Sequence, residues 1–412
     1  MMSLIAADKV FAQYFKLKGW TFPSALAGMV VIFSALCGLR FSSPEVAEEI
    51  SVGLTPSVSL IKAWLPIFFV PPLVVLPLKL HLLKGMGLQF VSVIVIGAVL
   101  SISSAGLFAQ FVDKLFPQLE TERSQTAVVP SSPVPSLPQL SHTALATAAL
   151  MVASKLMSHK TEAAFSVVQG AFGFTATLTG YLIGTKFPSK VKKVIHPVLG
   201  CAAITTVLLA AFGLINGAAP AAALTLYFGS GSLRGAGDII SSMLGPAILS
   251  FGVQLFQYRA MLLKNSIKVT ATTAFSAGFG LCSSAVLTKA FKLSPAQTAL
   301  ATLTRCITTP LALAGSRLTG ADPSLSAFAV VITGILGASL GESLLGGIGV
   351  KDPVSVGVAV GAGAHGLGSA AVSYDPVKFA SAVVAMTLTG LWTVTLLSCA
   401  PVREKLVKIA LL

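Results

Sequence analysis

Four short stretches hold the residues able to do chemistry in this chain. The first, LTRCITTPLALA from Leu303 to Ala314, sets Arg305, Thr308, Thr309 and Pro310 in an apolar run, where a lone cation and a helix break are both costly. Arginine does not shed its proton, so it needs an anion or water beside it, and its planar fork matches a carboxylate at two points. A small carboxylate substrate meets that need, and so does an internal ion pair with Glu342 or Asp238. Thr308 and Thr309 ahead of Pro310 suit a chain break followed by a half-helix with proline in its first turn, whose free amides and two hydroxyls point at an anion. The competing reading is a plain proline kink with the threonines bonded back to their own helix.

The second stretch, SSMLGPA from Ser241 to Ala247, interrupts another apolar run at Gly245 and Pro246. Two interrupted helices in one unit are the pattern of transporters with a midplane site, which puts Ser242 and Gly245 in the expected substrate shell. Asp238 reads as the N-cap of this helix. The third stretch, GVAVGAGAHGLGSA, surrounds His365 and Gly366 with glycine and alanine. Small residues let helix backbones approach, but such packing has no need of a histidine. His365 suits donation to a substrate hydroxyl or carboxylate, or proton carriage, or a bond to a neighbouring carbonyl. The fourth, GASLGESLLGG, offers Glu342 as a proton carrier or as the partner of Arg305. The chain shows no Walker loop, metal-ligand cluster or nucleophilic triad, so neither an enzyme nor a cofactor or metal is expected.

The elements that must position these residues are set by composition. With 412 residues, 54% hydrophobic and 10% charged, and a mean hydropathy of +0.87, the chain reads as an all-α polytopic membrane protein. Its apolar runs supply about ten to twelve transmembrane helices, two of them broken, at 241–250 and 305–313. The short alternating strands of a β-barrel are not seen. The net charge of +14 comes from basic residues scattered between the runs, which marks them as anchors to membrane lipid and not as a nucleic-acid surface. The opening MMSLIAADKVF is too short for a full span and reads as the remnant of a first helix behind a trimmed leader. Between Trp64 and Leu78 four prolines predict a bent or broken helix. A Pro/Ser-rich linker over 117–141 separates a membrane unit at 1–116 from a second at 142–412.

On these motifs the chain resembles the LrgB/CidB family. Its second unit carries the family's LGPA element at Leu244 to Ala247, TTP at Thr308 to Pro310 and HG(I/L)G at His365 to Gly368. The first unit resembles the LrgA/CidA partner through FPSALAG at Phe22 to Gly28 and WLPIFFVPPLVVLPL at Trp64 to Leu78. Fusion of the two is similar to the plastidal members, which AADK at Ala6 to Lys9, GAGDI at Gly235 to Ile239, RCIT at Arg305 to Thr308 and AHGLG at Ala364 to Gly368 also match. That likeness implies the inner chloroplast envelope and exchange of photorespiratory glycolate and glycerate. Bacterial relatives are linked to pyruvate movement and to holin-like control of lysis, and tend to have lysine where Arg305 stands. The expected function is a secondary transporter of small 2-hydroxycarboxylates with the first unit as scaffold and homodimer surface. The alternatives are a holin-like pore or regulator of membrane permeability and lysis, or a pyruvate/lactate transporter.

Overall fold

The computed structural model describes residues 1–20, 24–83, 85–116, 139–157, 162–188, 191, 197–229 and 234–412. Phe22, Pro23, Lys84, most of the 117–141 linker, Lys190, Lys192, Lys193 and His196 lie outside the described residues. All described secondary structure is helical. Nine helices among the described residues are long and apolar enough to cross a membrane, so the protein is a multi-pass all-α membrane protein.

The chain forms two compact units, interleaved in sequence: Met1–Val58, Leu82–Ser132 and Ile248–Leu412 make the first, Ser59–His81 and Pro133–Ala247 the second. The first unit opens with α1 (Met2–Leu17), α2 (Ser24–Ser42) and the start of α3 (Pro44–Trp64). The second takes the end of α3, then short 3-10 turns around α4 (Val70–Val74). It continues with α6 (Leu140–Met157), α7 (Glu162–Thr185), α8 (Pro197–Ile215), α9 (Pro220–Thr225), α10 (Ala236–Ser242) and the first residues of α11 (Leu244–Gln257). The prolines after Trp64 break that stretch into 3-10 and α turns, as their number predicts.

The rest of the first unit is α5 (Gly87–Leu115), the remainder of α11, α12 (Arg259–Lys264), α13 (Ser266–Ala290), α14 (Ala296–Leu300), α15 (Thr309–Thr319), α16 (Pro323–Gly347), α17 (Pro353–Ala371), α18 (Pro376–Ser398) and α19 (Ala400–Leu411). Its centre is α17, buried from Ser355 to Ser369 and packed against α5, α13, α16 and α18. A helix apolar all round belongs inside, and its glycines set how near the neighbours come. A Cβ added at Gly361 would collide with the Ala382 carbonyl of α18, and one at Gly363 would lie 3.0 Å from the Ile102 backbone of α5. Gly106 of α5 faces Ala359. Residue numbers therefore rise along α5 as they fall along α17, and the two helices are antiparallel.

Charge locks one end of this pair. Lys268 of α13, 4% exposed, bonds Asp113 of α5 and Asp352 at the N-cap of α17, each at 2.7 Å. Asp352 also accepts from the Ser355 amide and hydroxyl, both at 2.8 Å. Burial alone would push the Asp352 carboxyl up, but the Lys268 ammonium and the Ser355 bonds outweigh it and hold the carboxyl below its ordinary range. A depressed carboxylate stabilises the fold above its unfolded value of about 3.9, and that contribution fades as pH falls through the lower folded value. Lys268→Met should destabilise the detergent-solubilised protein by on the order of 2 kcal/mol, read by thermal unfolding at pH 7. Asp352→Asn should flatten part of the loss of melting temperature seen below about pH 4.

Candidate functional site

Two hairpins enter the first unit without crossing it. In the first, α14 leads in, residues 301–308 are non-helical, and α15 leads out. The Asp322 amide beyond α15 donates to the Gln297 carbonyl of α14 at 3.1 Å, so the two arms start and end side by side. Further in, a Cβ at Gly315 would lie 3.8 Å from the Thr304 Cβ. The tip therefore falls at Arg305 to Thr309. Thr308 caps α15 in extended conformation and Pro310 sits in its first turn, where no amide hydrogen is needed. The break expected at this proline is present.

The second hairpin is α17 itself. His365 has φ 43° and ψ −136°, a left-handed backbone that costs a non-glycine residue about 1–3 kcal/mol. The chain reverses there: a Cβ at Gly368 would lie 3.1 Å from the Val360 carbonyl oxygen, eight residues back, whereas eight residues of straight helix span about 12 Å. After the turn, α18 sets out beside the start of α17 and runs parallel to it, Gly357 against Lys378 and Gly361 against Ala382. So Pro353–Ala371, long enough and apolar enough to span, is a re-entrant hairpin. Such backbone is tolerated at membrane depth only where protein or water surrounds it, and here every residue from Ser355 to Ser369 is buried.

Both tips reach α5 near its middle. The Arg305 guanidinium lies over Gly97, where an added Cβ would be 2.5 Å from Cζ, and Nη2 donates to Ser101 Oγ at 3.0 Å. Ile102 packs on Gly363, two residues before His365. On α16 the His365 ring meets Gly334, again mid-helix, and its Nε2 lies 2.8 Å from the Val330 carbonyl oxygen. A carbonyl only accepts, so Nε2 carries the proton and the neutral ring offers Nδ1 as an acceptor. The hairpins come from opposite ends of the unit. The first is based near Met86 ahead of α5, whose sulfur accepts from Ser294, and the second near the Lys268 cluster at the other end of α5.

Arg305 is completely buried. Its Nε and Nη1, Thr309 Oγ1, Thr304 Oγ1 and His365 Nδ1 have no hydrogen-bond partner among the described residues. Glu342 is not the counter-ion: it accepts from Lys378 Nζ at 2.7 Å and from the Tyr374 hydroxyl at 2.6 Å, near the base of the second hairpin. Asp238 caps α10, but from its third position, accepting the Gly235 amide at 3.0 Å, and so is not the N-cap. Ser242 is exposed and its hydroxyl donates to the Ile239 carbonyl of its own helix at 2.7 Å. At Pro246 no full break forms: Met243 keeps right-handed helical angles and the Ala247 amide still reaches its carbonyl at 3.0 Å. Proline there lies in the first turn of α11, where its missing donor costs little. Gly245 precedes it in the same turn. The helix is interrupted at Met243, between α10 and α11, and the reversal that matches the Arg305 hairpin is at His365.

Sequence reasoning missed Gly97, Ser101, Asp113, Lys268 and Asp352. A serine and a glycine in the apolar run of α5 carry no local signal, and only the packing brings them to Arg305 some 200 residues later. A cavity of about 910 Å³ in the first unit, lined by Phe33, Leu255, Val269 and Leu391, touches none of the tip residues. Most of its lining is apolar, with Arg40 and Arg259 also in its wall.

The LrgB-like family model matches residues 177–401. Plastidal glycolate/glycerate translocator 1, chloroplastic, of Arabidopsis thaliana is 32% identical over 98% of this chain and 79% of its own length. Antiholin-like protein LrgB of Bacillus subtilis (strain 168) is 28% identical over 56% of this chain and 94% of its own. No solved structure matches.

The first hairpin can be checked by cross-linking. Cβ atoms 3.8 Å apart match disulfide geometry, so Thr304→Cys with Gly315→Cys, in a Cys306→Ala background, should close a bond under mild oxidation. Mass spectrometry of the linked peptides reads it. An unbroken helix would hold these positions about 16 Å apart and give no link.

Proposed function

The chain belongs to the LrgB-like family, and from that premise we propose that it is a secondary transporter. It exchanges small 2-hydroxycarboxylates, glycolate and glycerate foremost, across the inner envelope of a chloroplast by alternating access. The carrying observation is Arg305: a fixed cation, wholly buried at a hairpin tip, with two nitrogens unpartnered and no carboxylate bonded to it among the described residues. A charge so placed calls for an anion of two-oxygen shape, and a carboxylate supplies it. The amides that open α15 and the Thr308 and Thr309 hydroxyls add donors at the same tip.

His365 and Gly366 form the second wall in this reading. With Nε2–H engaged by Val330, Nδ1 is left to accept, and the group beside a carboxylate that donates is the 2-hydroxyl. The membrane character and the name of the plastidal relative support the same substrate class.

The antiholin-like names of bacterial relatives favour a second reading, a pore or permeability regulator. Two hairpin tips that fill the centre of the unit argue against it, because a pore needs an open path and no compact anion site. Counterflow separates the two: an exchanger in liposomes loaded with glycerate takes up labelled glycolate in a saturable, trans-stimulated way, and a pore shows neither property.

Arg305→Ala should lower that exchange about 100-fold or more, the loss expected when one side of a buried charge pair is removed. Exchange at the wild-type rate would reject Arg305 as the anion site. Wild type should prefer lactate to pyruvate, whose keto oxygen cannot donate, by about tenfold or more in competition assays. His365→Asn, a residue that tolerates positive φ but has a shorter reach, should bring that ratio toward one.

A further inference from the structure

Helix α5 lies outside residues 177–401 that the family model matches, yet its Gly97 and Ser101 meet the buried arginine. We infer that α5 is part of the substrate site, with Ser101 as a binding residue whose hydroxyl donates to the carboxylate held by Arg305. This rests on the proposed transport of hydroxycarboxylates and says which residue beyond the family-matched segment completes the site.

Three observations carry it. Ser101 is 3% exposed, and the hydrogen bonds that its Oγ makes are acceptances: from Arg305 Nη2 at 3.0 Å and from Cys306 Sγ at 3.4 Å. A serine hydroxyl that accepts twice keeps its own proton to donate, and it is aimed beside a guanidinium whose Nε and Nη1 have no partner among the described residues. Next, Gly97 sits one turn before Ser101, and any side chain there would occupy the space of the guanidinium, 2.5 Å from Cζ and 2.6 Å from Nε and Nη2. The bare glycine lets the cation lie flat on α5, close to the Ser101 hydroxyl. Finally, the same turn of α5 carries Ile102, which abuts Gly363 below the His365 tip. One helical turn thus meets both hairpins, and a carboxylate bridging their tips comes within reach of Ser101. An O–H donated to a carboxylate is a charge-assisted bond, stronger than a neutral one.

The test uses the full chain reconstituted in glycerate-loaded liposomes. Ser101→Ala should raise KM for glycolate about tenfold with Vmax within about twofold, the size expected for one hydrogen bond to a charged group. Ser101→Thr, which restores the hydroxyl, should bring KM back toward wild type. Glycolate should raise the melting temperature of wild type and the threonine variant at concentrations that leave Ser101→Ala unmoved. A serine that merely props the arginine would lower Vmax severalfold as KM rises, and that result overturns the binding role. Wild-type KM in Ser101→Ala, while Arg305→Ala is inactive, overturns the role of α5 and leaves the transport reading standing. Full exchange by Arg305→Ala removes the transport reading itself. Should the alanine variant not reconstitute, Ser101→Cys, a weaker donor of similar shape, takes its place with the same two outcomes.

Discussion

A guanidinium that cannot become neutral, held at the centre of an apolar bundle, is the constraint on which the rest of the first unit depends. Burial of Arg305 is complete, so the surroundings have to supply oxygen neighbours and the space to lie among them. The turns of the first tip bring the residue in, the bare surface of α5 accepts it, and among the described residues the Ser101 hydroxyl is its hydrogen-bond partner. Carboxylates elsewhere in the unit are engaged at its edges: Asp113 and Asp352 with Lys268, Glu342 with Lys378 and Glu48 with Arg259. Among the described residues, these ion pairs lie away from Arg305, and no carboxylate bonds to it.

That arrangement explains the composition of the helices around it. Hairpins bring four helical arms and two non-helical tips into a space that a pair of straight spans would fill, and only very small residues make room. Gly357 and Gly361 against α18, Gly363 against Ile102 of α5, and Gly337 of α16 against Ala364 let the elements approach to contact, and Gly334 makes room for the His365 ring. Polar backbone exposed at the tips is sheltered by this packing, as it must be where no water replaces lost hydrogen bonds. Density at the centre and unpartnered polar atoms at the tips are two results of the same choice of residues.

Much of this was legible in the chain. Hydropathy gave the class, the proline after two threonines located the first tip, and the isolation of Arg305 among apolar residues singled it out as a buried cation. The LGPA element follows an interruption at Met243 that leaves the Ala247-to-Met243 hydrogen bond in place, and glycine and proline alone do not tell such a step from a full reversal. His365 showed the reverse problem: its reversal needs no proline, only a tight turn between small residues, so a run of glycine and alanine read as close packing. Pairings such as Arg305 with Ser101, or Lys268 with Asp113, are properties of register between distant helices, which periodicity along one segment does not encode.

The opposite entry of the hairpins has a consequence for sidedness. The arms of the Arg305 tip are tied together at one end of the bundle, by the bond from Asp322 to Gln297, while those of the His365 tip are rooted at the other, beside Lys268 and Lys378. Each face of the membrane therefore holds the roots of one tip only. A disturbance at one surface, whether a lipid headgroup, a change in local pH or a bound protein, acts through one wall of the centre and leaves the other wall anchored across the bilayer. A molecule so built distinguishes its two sides without having two different sites.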